Sequence, residues 1–461
     1  MRFEQYYLEC LSHASYLIGD ESSGLAVVVD PQRDVAGYVA DAEAAGLRIA
    51  YVVETHFHAD FLSGHLELAA ATGAEIVFGE AATPEFPARL VADGERISLG
   101  EVVLEFRATP GHTPESISVV VWERTDDDEP WGVLTGDTLF IGDVGRPDLL
   151  ASIGFTAGEL GSMLYDSLRD KLLPLPDATR VWPAHGAGSA CGKNLSTETM
   201  STIGEQRLTN YAFQDMTRER FVDIVTEGQP VAPEYFLHDA ILNRKSRELL
   251  DDARPQPMDL RAVEAARQRG AVLLDVRDPD GFAAGHLAGA VNVGLDGRFA
   301  EYAGEVAGPD DEIVLVAPSA DAAAEAKVRL ARIGFDHVVG AVHDIEAVLT
   351  AHPDLARRAS RLTAGELVAR RADTPGLQVI DVRGAGESAL GSIEGAVLMP
   401  LPALRRRVEE LDLTRPIVVH CAGGYRSSIA ASWLRSAGAA DVSDLLGGYD
   451  AWAALAPRAS V

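Results

Sequence analysis

The sequence predicts an α/β protein with more than one domain. Short apolar runs alternate with amphipathic stretches and glycine- or proline-marked turns through residues 1 to about 250. A second α/β pattern then follows and recurs 106 residues further on. Between the two regions lies Asp251-Asp252-Ala253-Arg254-Pro255-Gln256-Pro257, a charged, proline-broken stretch that reads as a linker.

The elements follow in order. Leu25 to Asp30 is a buried strand, and Val35 to Ala45 has helical spacing closed by Gly46. Ile49 to Val53 is the next strand, and Leu66 to Thr72 a short helix. Glu101 to Arg107 alternates as a strand does, Ser116 to Trp122 follows, and Arg124 to Pro130 is a solvated hairpin tip before the strand Trp131 to Thr135. Beyond the linker, Leu273-Leu274-Asp275-Val276-Arg277 recurs as Val379-Ile380-Asp381-Val382-Arg383. Gly285 to Val291 recurs as Gly391 to Val397, and Ile313 to Ala317 as Ile417 to Cys421 after a short slip. Each copy alternates strands with helices, which predicts small α/β domains with parallel sheets. The expected domains are 1–250, 258–355 and 358–461.

The formal charge is −30, with acid spread along all 461 residues. That argues against nucleic acid or an anionic membrane as a partner. Cys10, Cys191 and Cys421 are the only cysteines, a count that fits a reducing cytoplasm. The first residues carry no charged segment leading into an apolar one, and no apolar run approaches transmembrane length, so a cytoplasmic protein is expected.

One run stands out for its chemistry. Thr55-His56-Phe57-His58-Ala59-Asp60-Phe61 begins where an apolar strand stops. Three more turns carry metal-ligand side chains: His112 in Pro110-Gly111-His112, Asp137 in Gly136-Asp137-Thr138, and His185 in Ala184-His185-Gly186. A lone histidine in a turn usually signifies nothing. Four such turns in one region point to a metal cradle at the ends of strands. A second chemical feature is His420-Cys421-Ala422-Gly423-Gly424-Tyr425-Arg426, between an apolar strand and a helical run. Backbone N–H groups at a helix start stabilise a thiolate or persulfide. Gly423 and Gly424 allow a tight loop, and Arg426 suits an anionic sulfur oxyacid.

The first region resembles the metallo-β-lactamase superfamily, and within it the persulfide dioxygenases. The resemblance implies an αββα sandwich and one iron(II) per chain held by His56, His112 and Asp137. Two imidazoles and a carboxylate leave open positions for dioxygen chemistry. His58, Asp60 and His185 match ligands of the two-metal hydrolases, and here are implied to orient ligands and water. Phe61 stands where those hydrolases place a ligating histidine. The segment Phe140 to Leu149 resembles the dioxygenases' substrate-side loop. Its Arg146 either pairs with an anion of the thiol carrier or bonds loop carbonyls. Cys191, in Ala187 to Asn194, either lies near the metal pocket or packs as core.

Residues 358–461 resemble the rhodanese family, with Cys421 as the sulfur-carrying nucleophile. The earlier copy, 258–355, has Ala317-Pro318-Ser319 at that loop, and is expected to be an inactive spacer or docking surface. Ser392, in place of the first copy's His286, leaves the loop chemistry intact. The resemblances together imply oxidation of a low-molecular-weight thiol persulfide by O2 to sulfite and thiol, coupled to sulfur transfer with sulfite and thiosulfate, in a homo-oligomer. A zinc thioester hydrolase of the glyoxalase II kind and a sulfur carrier or sensor with a vestigial metal domain are the alternatives.

Overall fold

The computed structural model describes residues 1–149 and 154–455. Residues 150–153 of the expected first domain and 456–461 of the last lie outside the described residues. The chain divides into two compact units, Met1–Leu250 with Ala331–Gly334, and Asp251–Leu330 with Phe335–Val461.

The first unit contains two six-stranded sheets. One runs in sequence order through β1 (Arg2–Leu8), β2 (His13–Asp20), β3 (Leu25–Val29), β4 (Arg48–Val53), β5 (Glu75–Gly79) and β6 (Arg89–Val91). The other comprises β7 (Arg96–Ser98), β8 (Val103–Ala108), β9 (Ile117–Trp122), β10 (Gly132–Gly136), β11 (Arg180–Pro183) and β12 (Ser201–Thr202). Side-chain alternation sets the layers. Val27, Val29 and Val53 of the first sheet share one core with Val119, Val121 and Leu134 of the second. The intervening residues face the other way. Ala26, Val28 and Val52 pack with Tyr38 and Ala42 of the helix Ala36–Ala44. Val120, Val133 and Val181 pack with Leu164 and Phe221 of two helices behind the second sheet. Each buried valine, leucine or phenylalanine side chain among them contributes about 1.5–3 kcal/mol. The result is the expected αββα order.

The strands named from sequence are present, with ends displaced by a residue or two. The pair β1 and β2 was not expected. Gln5-Tyr6-Tyr7 and Ser12 to Ser15 are too polar to read as apolar runs, yet β1 pairs antiparallel with β2 along its whole length.

The second unit holds two parallel sheets and one small ribbon. Its strands are β13 (Val272–Asp275), β14 (His286–Leu287), β15 (Val291–Asn292), β16 (Ile313–Val316), β17 (Val338–Val342), β18 (Ala356–Arg357), β19 (Ser360–Leu362), β20 (Gln378–Asp381), β21 (Val397–Leu398), β22 (Ile417–His420) and β23 (Val442–Leu445). The sheet orders are β15-β13-β16-β17 and β19-β23-β22-β20-β21, and β14 pairs with β18. The recurring motif is built identically in each copy. Arg277 lies on the carboxylate of Asp275, and Arg383 on that of Asp381. The two copies also touch. Asn292 N–H donates to Ser432 Oγ at 2.9 Å, from β15 to the helix Tyr425–Ser436 behind the Cys421 loop.

Candidate metal centre and cysteine loop

The ends of both sheets meet at the candidate metal centre. His56, His58 and Asp60 follow β4, His112 lies between β8 and β9, Asp137 follows β10, and His185 follows β11. Two glycines allow the close approach. Gly111, at φ +152°, lies so near Leu164 that a Cβ would sit 2.4 Å from it, and Gly136, at φ +51°, lies against Thr55.

His56, His112 and Asp137 converge with all three candidate ligand atoms within 4.8 Å of one another. His112 Nε2 is 3.4 Å and His56 Nε2 3.9 Å from Asp137 Oδ2. The protons can be placed from their partners. Thr55 Oγ1 donates to Asp30 Oδ2 at 2.9 Å, so it accepts from His56 Nδ1 at 3.0 Å. His112 Nδ1 faces the carbonyl of Arg146 at 2.9 Å, and a carbonyl only accepts. Both Nε2 atoms are therefore bare lone pairs aimed at a carboxylate oxygen. His56 Nε2 and Asp137 Oδ2 are buried with no hydrogen-bond partner. An unpaired buried polar group costs about 1–3 kcal/mol. Three lone pairs with no proton between them fit a cation and little else.

Charge supports this. Burial holds His56 well below the ordinary imidazole range, aided by His58 and His112, so it is neutral as a ligand must be. Burial alone would raise the Asp137 carboxyl, but His185 and His112 pull it below its usual value. His185 bridges Asp137 Oδ1 and Asp60 Oδ2, each at 2.7 Å. Burial opposes its charge, yet the two carboxylates hold it well above the ordinary imidazole range.

The other expected residues divide. His58 turns from the triad toward Asp30, at 3.1 Å, and Glu54, at 3.5 Å. Phe61 is buried, its ring 4.0 Å from that of His13 and 4.4 Å from that of His58. Cys191 is buried with its sulfur within ligand reach of Asp60 and His185, and burial, with both carboxylates nearby, pushes the thiol up. Arg146 departs from the carrier-binding expectation. Its fork grips Asp148 at 2.7 Å twice and the Ala190 carbonyl at 3.1 Å, so it ties two loops together.

Several residues at the site escaped the sequence reading. Asp30 follows β3 as His56 follows β4, a strand-end signal that was available. Thr55, inside the run itself, supports His56. His13 opens β2, and its neighbours in sequence give no sign of it. Asn243 lies far along the chain, yet its amide donates to the carbonyls of His58 and Phe61, each at 2.8 Å, and fixes the loop.

In the second unit, Cys421 follows β22 and is buried. Gly424 N–H donates to its sulfur at 3.1 Å, and Ser427 Oγ lies 3.6 Å away. Gly424 adopts φ +107°, as the tight loop requires, whereas Gly423 is not in the left-handed region. Arg426 departs from expectation, because both its Nη atoms bond the Glu387 carboxylate at 2.7 Å. An oxyanion there would have to compete with Glu387. Tyr425, inside the loop, donates its hydroxyl to the carbonyls of Gly294 at 2.8 Å and Asp296 at 3.0 Å, both in the first copy. Ala317 of that copy has no thiol to offer.

The metallo-beta-lactamase superfamily model matches residues 8–185, and the rhodanese-like domain model matches 259–344 and 363–455. The mitochondrial persulfide dioxygenase ETHE1 of Homo sapiens is 32% identical over 213 residues, which are 46% of this chain and 75% of that protein. A hydroxyacylglutathione hydrolase of Rhodospirillum rubrum is 33% identical over 37% of this chain and 60% of its own length. The crystal structure of a metallo-beta-lactamase from Staphylococcus aureus superposes with TM-score 0.67 at 32% identity, covering 74% of this chain and 98% of that one. Among the described residues no helix is long and apolar enough to cross a membrane. The chain belongs to the metallo-β-lactamase superfamily, has persulfide dioxygenases among its relatives, and carries tandem rhodanese-like domains.

Proposed function

We propose that the first unit oxidises a low-molecular-weight thiol persulfide with O2 to sulfite and thiol, at one iron(II) held by His56, His112 and Asp137. The observation that carries this reading is the buried triad of bare lone pairs, with Phe61, whose ring cannot ligate a metal, packed against His13 and His58. Iron(II) there would supply the dioxygen chemistry that zinc, which has no redox states, lacks. The chain's own residues prepare that site. Thr55 and the Arg146 carbonyl fix the tautomers of the two histidines. His185 keeps Asp137 ionised and, with Asp60, stores a proton beside the pocket. Burial of all these groups keeps bulk water out, while the oxygen of sulfite that O2 does not supply comes from a single water. Oxygen uptake by anaerobically purified, iron-loaded protein across a panel of thiol persulfides tests the reading, and no uptake with any of them would overturn it. The relatedness to hydroxyacylglutathione hydrolases favours a thioester hydrolase as the second reading, which two bound zinc ions in active protein would establish.

The second unit, on this proposal, moves a sulfane sulfur through a Cys421 persulfide, with sulfite and thiosulfate as exchange partners. The product of one site is then a substrate of the other.

Two predictions follow from the metal side. Thr55→Val removes the hydroxyl that joins Asp30 to His56. Metal affinity should fall roughly 10- to 100-fold, as for other supports of ligands. Chelator competition measures it, and unchanged affinity would show that Thr55 does not orient His56. Phe61→His places an imidazole beside Asp60. Metal content should rise toward two ions per chain and oxygen uptake should drop. If both stay at wild-type levels, Phe61 does not set the metal number.

A further inference from the structure

Residues 54–64 join β4 to the helix His65–Thr72 and carry His56, His58 and Asp60 on the way. The segment is buried, so its amides need partners from elsewhere in the chain. Phe57 N–H donates to the Glu115 carboxylate at 3.0 Å, and Ser63 N–H to Asn243 Oδ1 at 2.9 Å. Gly64 N–H donates to the Pro31 carbonyl at 2.8 Å. Leu62, which is fully buried, donates its N–H to the carbonyl of Arg332 at 2.7 Å.

That last partner is out of place in sequence. Arg332 stands within 258–355, the copy without the cysteine, yet the turn Ala331–Gly334 belongs to the first compact unit. The turn is seated from several sides. Arg332 Nε and Nη2 each donate to a separate oxygen of Asp34 at 2.7 Å. A two-pronged pair of this kind fixes orientation as well as charge, and the Arg332 side chain is only 15% exposed. Arg33 donates to the Ala331 carbonyl at 2.9 Å while holding Glu67 at the same distance. Gly334, at φ +71°, approaches the helix Tyr235–Leu242 so closely that a Cβ would sit 2.6 Å from Asp239 Oδ1. The next residue after that helix is Asn243, which holds the carbonyls of His58 and Phe61.

From Leu62 the contacts lead to the triad. Asp60, two residues earlier, meets His185, and His185 meets Asp137, each at 2.7 Å. We propose that Arg332 is a positioning residue for the metal centre, and that the cysteine-free copy is retained in part because its turn completes the first unit. The inference rests on reading His56, His112 and Asp137 as a metal site, and not on which metal or substrate that site serves.

The test uses the full chain with Arg332→Ala, Arg332→Lys and Asp34→Asn, the last reaching the same pair by a nearly isosteric change. Arg269→Ala is the control, because it breaks an exposed ion pair with Glu312 in the same copy. Amide hydrogen exchange of metal-free protein reads the segment directly. Peptides covering 57–64 should exchange about tenfold faster in Arg332→Ala and Asp34→Asn, while β13 and β16 keep wild-type protection. Iron(II) affinity, by chelator competition, should fall about 10-fold in both, with Arg332→Lys recovering most of it and Arg269→Ala unchanged. Unchanged exchange in 57–64, an equal loss of protection in β13 and β16, or an equal fall in affinity in the control would each overturn the proposal. If wild type bound no metal, the metal reading would fail, and the exchange data would still decide the role of Arg332. Faster exchange confined to 57–64 supports it, and wild-type exchange there refutes it.

Discussion

Asp137→Ala is expected to strip the bound metal and abolish persulfide-dependent oxygen uptake. Its Oδ2 is the one carboxylate oxygen facing both histidine lone pairs, and no other carboxylate among the described residues shares that triad. The loss in metal affinity should exceed the roughly 10- to 100-fold that changes in supporting residues cause. Asp137→Asn makes a sharper control. It nearly preserves volume, yet it removes the charge and offers His185 a different partner. Metal analysis beside an oxygen electrode reads both variants. A variant that kept one iron per chain and wild-type uptake would show that the triad is not the centre.

The second large effect separates the two units. Cys421→Ser should lose sulfur transfer altogether, because a hydroxyl cannot carry a sulfane sulfur, while oxygen uptake stays near wild type. His56→Ala should do the reverse. Adding Ala317→Cys to the serine variant should restore nothing. The first copy has Pro318 and Ser319 where the second has Ala422 and Gly423, so no equivalent N–H-lined turn cups the new thiol. Thiosulfate-dependent sulfur transfer in each variant gives the answer. Wild-type transfer by Cys421→Ser would move the nucleophile to Cys10 or Cys191 and end the two-site scheme.

What the sequence made legible was the chemistry written in short runs. The histidine run, the strand-end turns and the cysteine loop each announce themselves through neighbours in sequence, and the repeat through matching five-residue runs. The sequence could not show which ring nitrogen faces which partner. That depends on Asp30 and Thr55 meeting across two strand ends. It also could not show the state of the arginines. Arg146 and Arg426 looked equally available as anion holders, but Asp148 is two residues from one, and Glu387 is brought to the other only by folding. The strands β1 and β2 escaped for a simpler reason. No residue of β1 is fully buried on either face, so its composition is too mixed for a period to show.

The hydroxyl of Tyr425 ends on two main-chain carbonyls of the copy that has no cysteine. Every residue type supplies a carbonyl. Gly294 and Asp296 could be exchanged for many others, and the anchorage would survive so long as the backbone kept its path. A duplicated domain retained on such terms is free to lose its motif, because its usefulness is written in chain trajectory instead of side chains. Its worth to the neighbouring loop is therefore invisible to any comparison of sequences, and trimming it away as a relic would cast Tyr425 adrift.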